Sequence, residues 1–266
     1  MTPLADELLA AYDTAQLLPL PSERADGCTL EAAYAVADEL RRRRIARGEQ
    51  PRGYKIGFTN RSIWPKYGVH APIWGTVWDS TSSLLDGSEA VASLAGLVQP
   101  RLEPEIVFGF ARTPQAGMSE AALLACLQWV AHGFEIVQTH FEAWRFKAAD
   151  TVADFGLHGR LLVGPRVPVA AWATLGADLS ALRLQLLCDG RVVDQGSGDL
   201  VLDGPLTALR LWVDAMAGQA QAWPILPGDI VTTGTLTDAW PLKAGQSWAT
   251  LLSDQRLSNL ALGVEP

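Results

Sequence analysis

The chain has 266 residues, 48% of them hydrophobic and only 19% charged, enough apolar material to bury a sizeable core in a compact globular protein. Its formal net charge of −8 argues against nucleic acid as a partner, because phosphate backbones are held by clustered Lys and Arg. Cys28, Cys126 and Cys188 are too few and too scattered for a disulfide framework, and no CxxC pair suggests a zinc knuckle.

The opening MTPLADELLAAYDTAQ carries acids where a signal peptide has a basic start and an unbroken apolar run. No stretch approaches the roughly 20 apolar residues of a membrane span, so a cytoplasmic protein without a membrane partner is expected. The match of Asn60-Arg61-Ser62 to a glycosylation sequon carries no weight without a secretory signal. Residues 3–17 and 29–47 read as helices, the second capped by Thr29, with Leu30, Ala33, Tyr34, Ala37 and Leu40 as its apolar positions and Gly48 as its stop. Arg41 to Arg44 fall in the last turns of that helix, where cations complement the macrodipole, and a solvated helix end is expected. Residues 1–52 therefore read as a helical N-terminal region.

From Gly53 the texture changes to short runs rich in Val, Ile and aromatics, bounded by Gly, Pro and Asp: GYKIGF, EIVFGF, FEIVQTHF, GRLLVG, GDIVTTGTL and SWATLL read as strands. In LRLQLLC-DG-RVVDQ, Asp189-Gly190 suits the type I′ turn of a hairpin. Two helices interrupt the series. One is expected from Ser119 to His132, closed by Gly133; the other starts at Pro205 and ends near Gly218. Strands without regular helical alternation favour an α+β domain on a bent mixed sheet or roll over a doubly wound parallel sheet.

On a strand, residues i and i+2 share a face, so Glu103 and Glu105 of RLEPEIVFGF project side by side. Such a pair either lies on a solvent-facing edge or needs protonation or a cation to offset its repulsion. A further carboxylate, Glu135, stands in the apolar run GFEIV, and three carboxylates from two strands suit a hard divalent ion, Mg²⁺ or Mn²⁺, with open positions for water and substrate. Lys55 lies in an expected strand between Gly53 and Gly57; it either snorkels to the surface or serves a site. In AADTVADFGLHGRLLVG, Asp150, Asp154 and His158 surround a glycine-bearing turn, making His158 a general acid/base candidate. GxSxG, P-loop and GxGxxG signatures are missing, so serine hydrolases, nucleotide hydrolases and nicotinamide oxidoreductases lack their anchor.

In this order, GYKIGFT, the ExE strand, FEIV, DTVAD, LDGPLTALRLWV and LPGDIVTTGTLTDAWPLKAGQ resemble the fumarylacetoacetate hydrolase superfamily, in its 2-oxopent-4-enoate hydratase and 4-oxalocrotonate decarboxylase branch. The resemblance implies a mixed β-roll, with residues 53–266 as the catalytic domain, and a homo-oligomer. It implies that Glu103, Glu105 and Glu135 bind Mg²⁺ or Mn²⁺, that Lys55 lies at the active site, and that Thr59, Asp154, Gly234 and Thr235 contact substrate. The sequence departs from the branch where the usual aspartate is His70, and where its DNAS stretch is Asp154-Phe155-Gly156-Leu157, followed by His158. The implied activity is metal-dependent hydration of a 2-hydroxy-2,4-dienoate (2-oxo-4-enoate) to a 4-hydroxy-2-oxo acid, a small-molecule substrate of aromatic catabolism. Lys55 would hold or protonate the acid, and His158 or His70 would shuttle protons. Decarboxylation of a 2-oxo-dicarboxylate, C–C hydrolysis of an acylpyruvate, and a non-catalytic binding protein of the same fold are the alternatives.

Overall fold

A computed structural model describes residues 3–220 and 222–266. The elements run α1 (Pro3–Thr14), α2 (Leu30–Ala46), β1 (Pro51–Gly57), α3 (Trp64–Tyr67), β2 (Ile73–Trp78), β3 (Ser82–Leu84), β4 (Glu89–Ser93), β5 (Arg101–Phe110), α4 (Glu120–Leu124) and β6 (Leu127–Val137). They continue through α5 (Ala148–Ala153), β7 (His158–Val163), β8 (Val167–Pro168), α6 (Leu175–Ala181), β9 (Arg183–Cys188), β10 (Arg191–Ser197), α7 (Pro205–Ala217), β11 (Ile230–Thr235), β12 (Trp240–Pro241), β13 (Ser247–Leu252) and β14 (Ala261–Glu265). The larger sheet has the order β2-β1-β11-β5-β6-β7-β3, with β12 added to β5 and β8 to β6; the smaller is β10-β9-β13-β14-β4. Both are mixed: β1 with β11, β3 with β7 and β4 with β14 are parallel, and the other pairs are antiparallel. This is the α+β curled sheet expected. Among the described residues, no helix is long and apolar enough to cross a membrane.

Strand alternation divides the larger sheet into two faces. Leu102, Ile106, Phe108 and Phe110 of β5 and Phe134 and Ile136 of β6 join the main core, together with Ala5, Leu8, Ala33, Tyr34 and Leu40 from the two N-terminal helices. The other face gathers Val107, Ala131, Leu161, Val163 and Ile230 into a small second cluster, with Val77. The three glutamates and Lys55 belong to this second face by register, since Glu103 opposes Glu135, Glu105 opposes Gly133, Val107 opposes Ala131 and Lys55 opposes Thr232.

Several local expectations hold. Thr29 accepts a hydrogen bond from the Ala32 N–H and caps α2, Pro205 opens α7, and Asp189 and Gly190 both adopt positive φ in the hairpin turn. Others need correction. The segment expected to be a helix over 119–132 is helical only in α4, and from Leu127 it is strand β6, paired with β5 along almost its whole length. Long-range pairing overrides the local helical pattern here. Gly133 is no helix stop: it faces Glu105 from mid-strand, where a Cβ would lie 2.8 Å from Val107 Cγ2.

The arginine run is not a solvated helix end either. Arg41 and Arg44, three residues apart on one face of α2, are buried. The Arg41 guanidinium packs over Tyr54 and Trp223, and that of Arg44 over Tyr12, Trp78 and Phe155, with Glu49 as its ion partner. A small cavity of about 50 Å³ lies against these two arginines. Arg44→Ala would leave Glu49 unpaired and three rings uncovered, and is expected to cost about 3–5 kcal/mol in urea unfolding. Arg42, whose side chain is 63% exposed, is the control, with Arg42→Ala expected to change stability by no more than about 0.5 kcal/mol. Equal effects of the two substitutions would contradict the packing described.

Candidate active site

Glu103 and Glu135 face each other across the β5–β6 ladder, and Glu105 sits two residues on, against the bare backbone of Gly133. One carboxylate oxygen from each lies within 4.8 Å of the others. Glu105 and Glu135 are fully buried and Glu103 is partly exposed. Lys55, 4% exposed on the neighbouring part of the sheet, places its ammonium 3.2 Å from Glu135 Oε2.

Backbone geometry at β11 holds Glu105 in place. Its Oε2 accepts the Thr232 hydroxyl and, at 2.7 Å, the Gly234 N–H, while Oε1 is buried without a partner. Gly234 is required at this point: φ is +104°, and a Cβ would stand 1.8 Å from Thr59 Oγ1. A buried carboxylate oxygen with no donor is a position that a cation can fill.

Electrostatics point the same way. Burial, then repulsion from Glu135 and Glu103, pushes the Glu105 carboxyl well above the usual carboxylate range. Burial likewise raises Glu103, up to about 7, although Lys55 opposes the shift. Glu135 is held low because Lys55 and His158 outweigh the effect of its burial. Burial pulls the Lys55 ammonium down, but the three carboxylates outweigh it and its pKa is raised. One lysine therefore stands against three carboxylates, and a divalent ion would offset the cost of ionising the two that burial and repulsion hold high. The donors are all hard oxygens, which fit Mg²⁺ or Mn²⁺ and not a soft metal.

A cavity of about 260 Å³ opens onto this cluster, and Lys55, Thr59, Glu103, Gly234 and Thr235 are all in its wall. The structure thus brings together seven of the ten site residues expected from sequence, counting Glu105 and Glu135 of the carboxylate cluster behind that wall. It does not bring Asp154, His158 or His70 to the cavity. Asp154 is buried and spent on the fold: its oxygens accept from His140 Nδ1 at 2.6 Å, the His140 N–H at 2.9 Å and the Thr139 hydroxyl at 3.2 Å. His158 has both ring nitrogens bonded inside the protein, so it is not placed to shuttle protons to a substrate. His70 is exposed in the turn between α3 and β2. What the 154–158 segment does supply to the wall is Gly156 and Leu157. Phe155, Gly156 and Leu157 all have positive φ, and their backbone packs so closely on Gly75 that a Cβ there would lie 2.3 Å from the Phe155 carbonyl oxygen.

Sequence reasoning missed the other end of the cavity. Phe58, Tyr67, Phe146 and Trp144 form a run of rings with successive centroids 4.8, 5.8 and 5.9 Å apart, and Arg101 stacks on Trp144 at 4.2 Å. Arg101 makes no ion pair among the described residues. Its place was legible, because it lies two residues before Glu103 and so on the same strand face. Tyr67 and Phe146 come from α3 and a loop that carry no such period.

His132 was also missed. It is buried behind Glu105, with Nδ1 3.0 Å from the Glu105 carbonyl oxygen and Nε2 3.0 Å from the Thr250 hydroxyl, joining the two sheets. Burial lowers its pKa from 6.5 to about 4, although the Glu105 carbonyl opposes this. The folded chain holds the imidazole neutral while the unfolded chain protonates it near pH 6.5. Its contribution is therefore present above that pH and falls away as pH drops toward 4, by about 3 kcal/mol in all. In urea unfolding with chelator present, wild type should lose about that much more than His132→Gln between pH 7.5 and 4. Parallel pH profiles would contradict this.

No family model matches the chain. Among curated proteins it is 32% identical to 2-hydroxyhexa-2,4-dienoate hydratase of Comamonas testosteroni, over 90% of this chain and 88% of that one. It is 30% identical to a 4-oxalocrotonate decarboxylase of a Pseudomonas species, over 84% of this chain and 82% of the other. The chain belongs to this hydratase and decarboxylase family. The solved 4-oxalocrotonate decarboxylase of Pseudomonas putida G7, complexed with magnesium and adipate, superposes with a TM-score of 0.88 at 25% identity, over 98% of this chain and 95% of that one. Hydratases and decarboxylases of this kind are lyases, and the protein is accordingly an enzyme of that class; its three-glutamate cluster offers the hard oxygen donors that suit a divalent ion.

Proposed function

We propose that the protein hydrates a 2-hydroxy-2,4-dienoate, in its 2-oxo-4-enoate form, to a 4-hydroxy-2-oxo acid in the breakdown of aromatic compounds. The observation that carries this reading is the unpartnered Glu105 Oε1 within a three-carboxylate cluster, beside a buried lysine at the wall of a substrate-sized cavity. Glu103, Glu105 and Glu135 would hold the divalent ion, which when bound would supply positive charge beside the acid's carboxylate and 2-oxygen. Lys55, kept charged by its carboxylate neighbours, holds the bound acid and donates its proton to the carbon chain as the dienol ketonises, regaining one from the 2-hydroxyl. Water then adds to the conjugated alkene. Thr59, Gly234 and Thr235 border the acid, while Tyr67, Phe146 and Trp144 cover the carbon tail and keep bulk water out. Resemblance to the family supports a homo-oligomer in the cytoplasm, and light scattering reports the assembly.

Arg101 favours a second reading, decarboxylation of a 2-oxo-dicarboxylate. Its guanidinium is in the cavity wall, stacked but without a carboxylate partner, and a second carboxylate on the substrate would supply one. Incubation with Mg²⁺ and, separately, 2-hydroxypenta-2,4-dienoate, 4-oxalocrotonate and an acylpyruvate decides between them. Loss of dienol absorbance without CO₂ supports hydration, and CO₂ release from 4-oxalocrotonate as the faster reaction replaces it with decarboxylation. Turnover of the acylpyruvate alone would indicate C–C hydrolysis, and silence on all three would leave a binding protein.

A further inference from the structure

The two oxygens of Glu135 have different neighbours. Oε2 faces Lys55, whereas Oε1 is 2.8 Å from His158 Nδ1. The other ring nitrogen, Nε2, is 2.8 Å from the Thr81 hydroxyl. Thr81 is itself fixed, because its Oγ1 accepts the Trp78 N–H at 3.2 Å and its carbonyl accepts the Leu161 N–H at 2.8 Å; its hydroxyl proton has two acceptors in reach, His158 Nε2 at 2.8 Å and the more distant Trp78 carbonyl oxygen at 3.3 Å. Thr81, His158 and Glu135 form one buried line running from the turn after β2 to the carboxylate cluster. A single neutral tautomer satisfies both ring bonds, with Nδ1–H donating to Glu135 and Nε2 accepting from Thr81.

We propose that His158, oriented by Thr81, is a positioning residue that fixes Glu135 so that it presents only Oε2 to the divalent ion. This rests on the metal-site reading given above. Glu105 reaches the same state by other means, since the Thr232 hydroxyl and Gly234 N–H occupy its Oε2 and leave Oε1 free. Both buried carboxylates are thereby single-oxygen donors. A Glu135 released from His158 would be free to turn and offer both oxygens, taking up a position that a chelating 2-oxo acid needs.

The test is Mn²⁺ binding by calorimetry to the full chain, as wild type, His158→Ala, His158→Asn and His158→Gln, with circular dichroism to confirm folding. The side-chain nitrogen of Asn sits where Nδ1 does and can still donate to Glu135, whereas that of Gln corresponds to Nε2 and reaches toward Thr81. His158→Ala is expected to weaken Mn²⁺ binding by roughly 10–100-fold, His158→Asn to recover most of the loss, and His158→Gln to recover little. Wild-type affinity in His158→Ala, or equal losses in the Asn and Gln variants, overturns the proposal. If the alanine variant does not fold, the Asn and Gln pair decides alone. Failure of the underlying reading looks different: wild type would not bind Mn²⁺, or Glu105→Gln would bind it normally.

Discussion

Glu105→Gln is expected to weaken Mn²⁺ binding by roughly 100-fold or more, and to reduce turnover correspondingly at limiting metal. The substitution keeps size and shape, so the effect comes from chemistry alone. If the amide nitrogen takes the place of Oε2, it confronts two donors, the Thr232 hydroxyl and the Gly234 N–H. If it takes the place of Oε1, a donor replaces the Glu105 oxygen that has no hydrogen-bond partner among the described residues. Neither orientation suits a cation. Calorimetric titration checks the binding and a dienol assay checks the turnover. Unchanged affinity would remove Glu105 from the metal site.

Lys55→Met should separate stability, metal binding and catalysis. Lys55 is the buried cation among three carboxylates, and its removal from the metal-free protein is expected to cost about 3–5 kcal/mol. Saturating Mg²⁺ should restore much of that, because the ion takes over the neutralising charge. Mn²⁺ affinity should hold or rise, as a positive charge has left the neighbourhood, while turnover should fall by about 10²–10⁴-fold. Urea unfolding with and without Mg²⁺, calorimetry and the dienol assay report these separately. A variant that loses metal affinity but keeps normal turnover per bound ion would reverse the roles argued for Lys55.

The carboxylate end of the site was legible because it obeys a short-range rule. Glu103 and Glu105 share a face by strand alternation, and Glu135 is an isolated acid in an apolar strand, so residue order alone suggested a cation. The rest depended on contacts between distant segments. Nothing local distinguishes a histidine that serves a substrate from one that braces Glu135, and His158 was misplaced for that reason. Asp154 likewise sits in a motif-like stretch, yet its partners Thr139 and His140 come from the segment just after β6. The β6 segment read as helix because only its partner β5 reveals that it is strand. In the arginine run, the helical period separated inward Arg41 and Arg44 from outward Arg42, but burying a guanidinium requires rings supplied by α1, β1 and β2.

The central claim is that an ion held by the three glutamates makes this cavity act on a 2-hydroxydienoate. Its most direct test follows the dienol absorbance of 2-hydroxypenta-2,4-dienoate with protein stripped of metal by chelator and then resupplied with Mg²⁺ or Mn²⁺. Turnover should vanish in chelator and return with either ion, and Glu105→Gln should stay silent under the same additions at limiting metal. Full turnover by wild type in excess chelator would contradict the account.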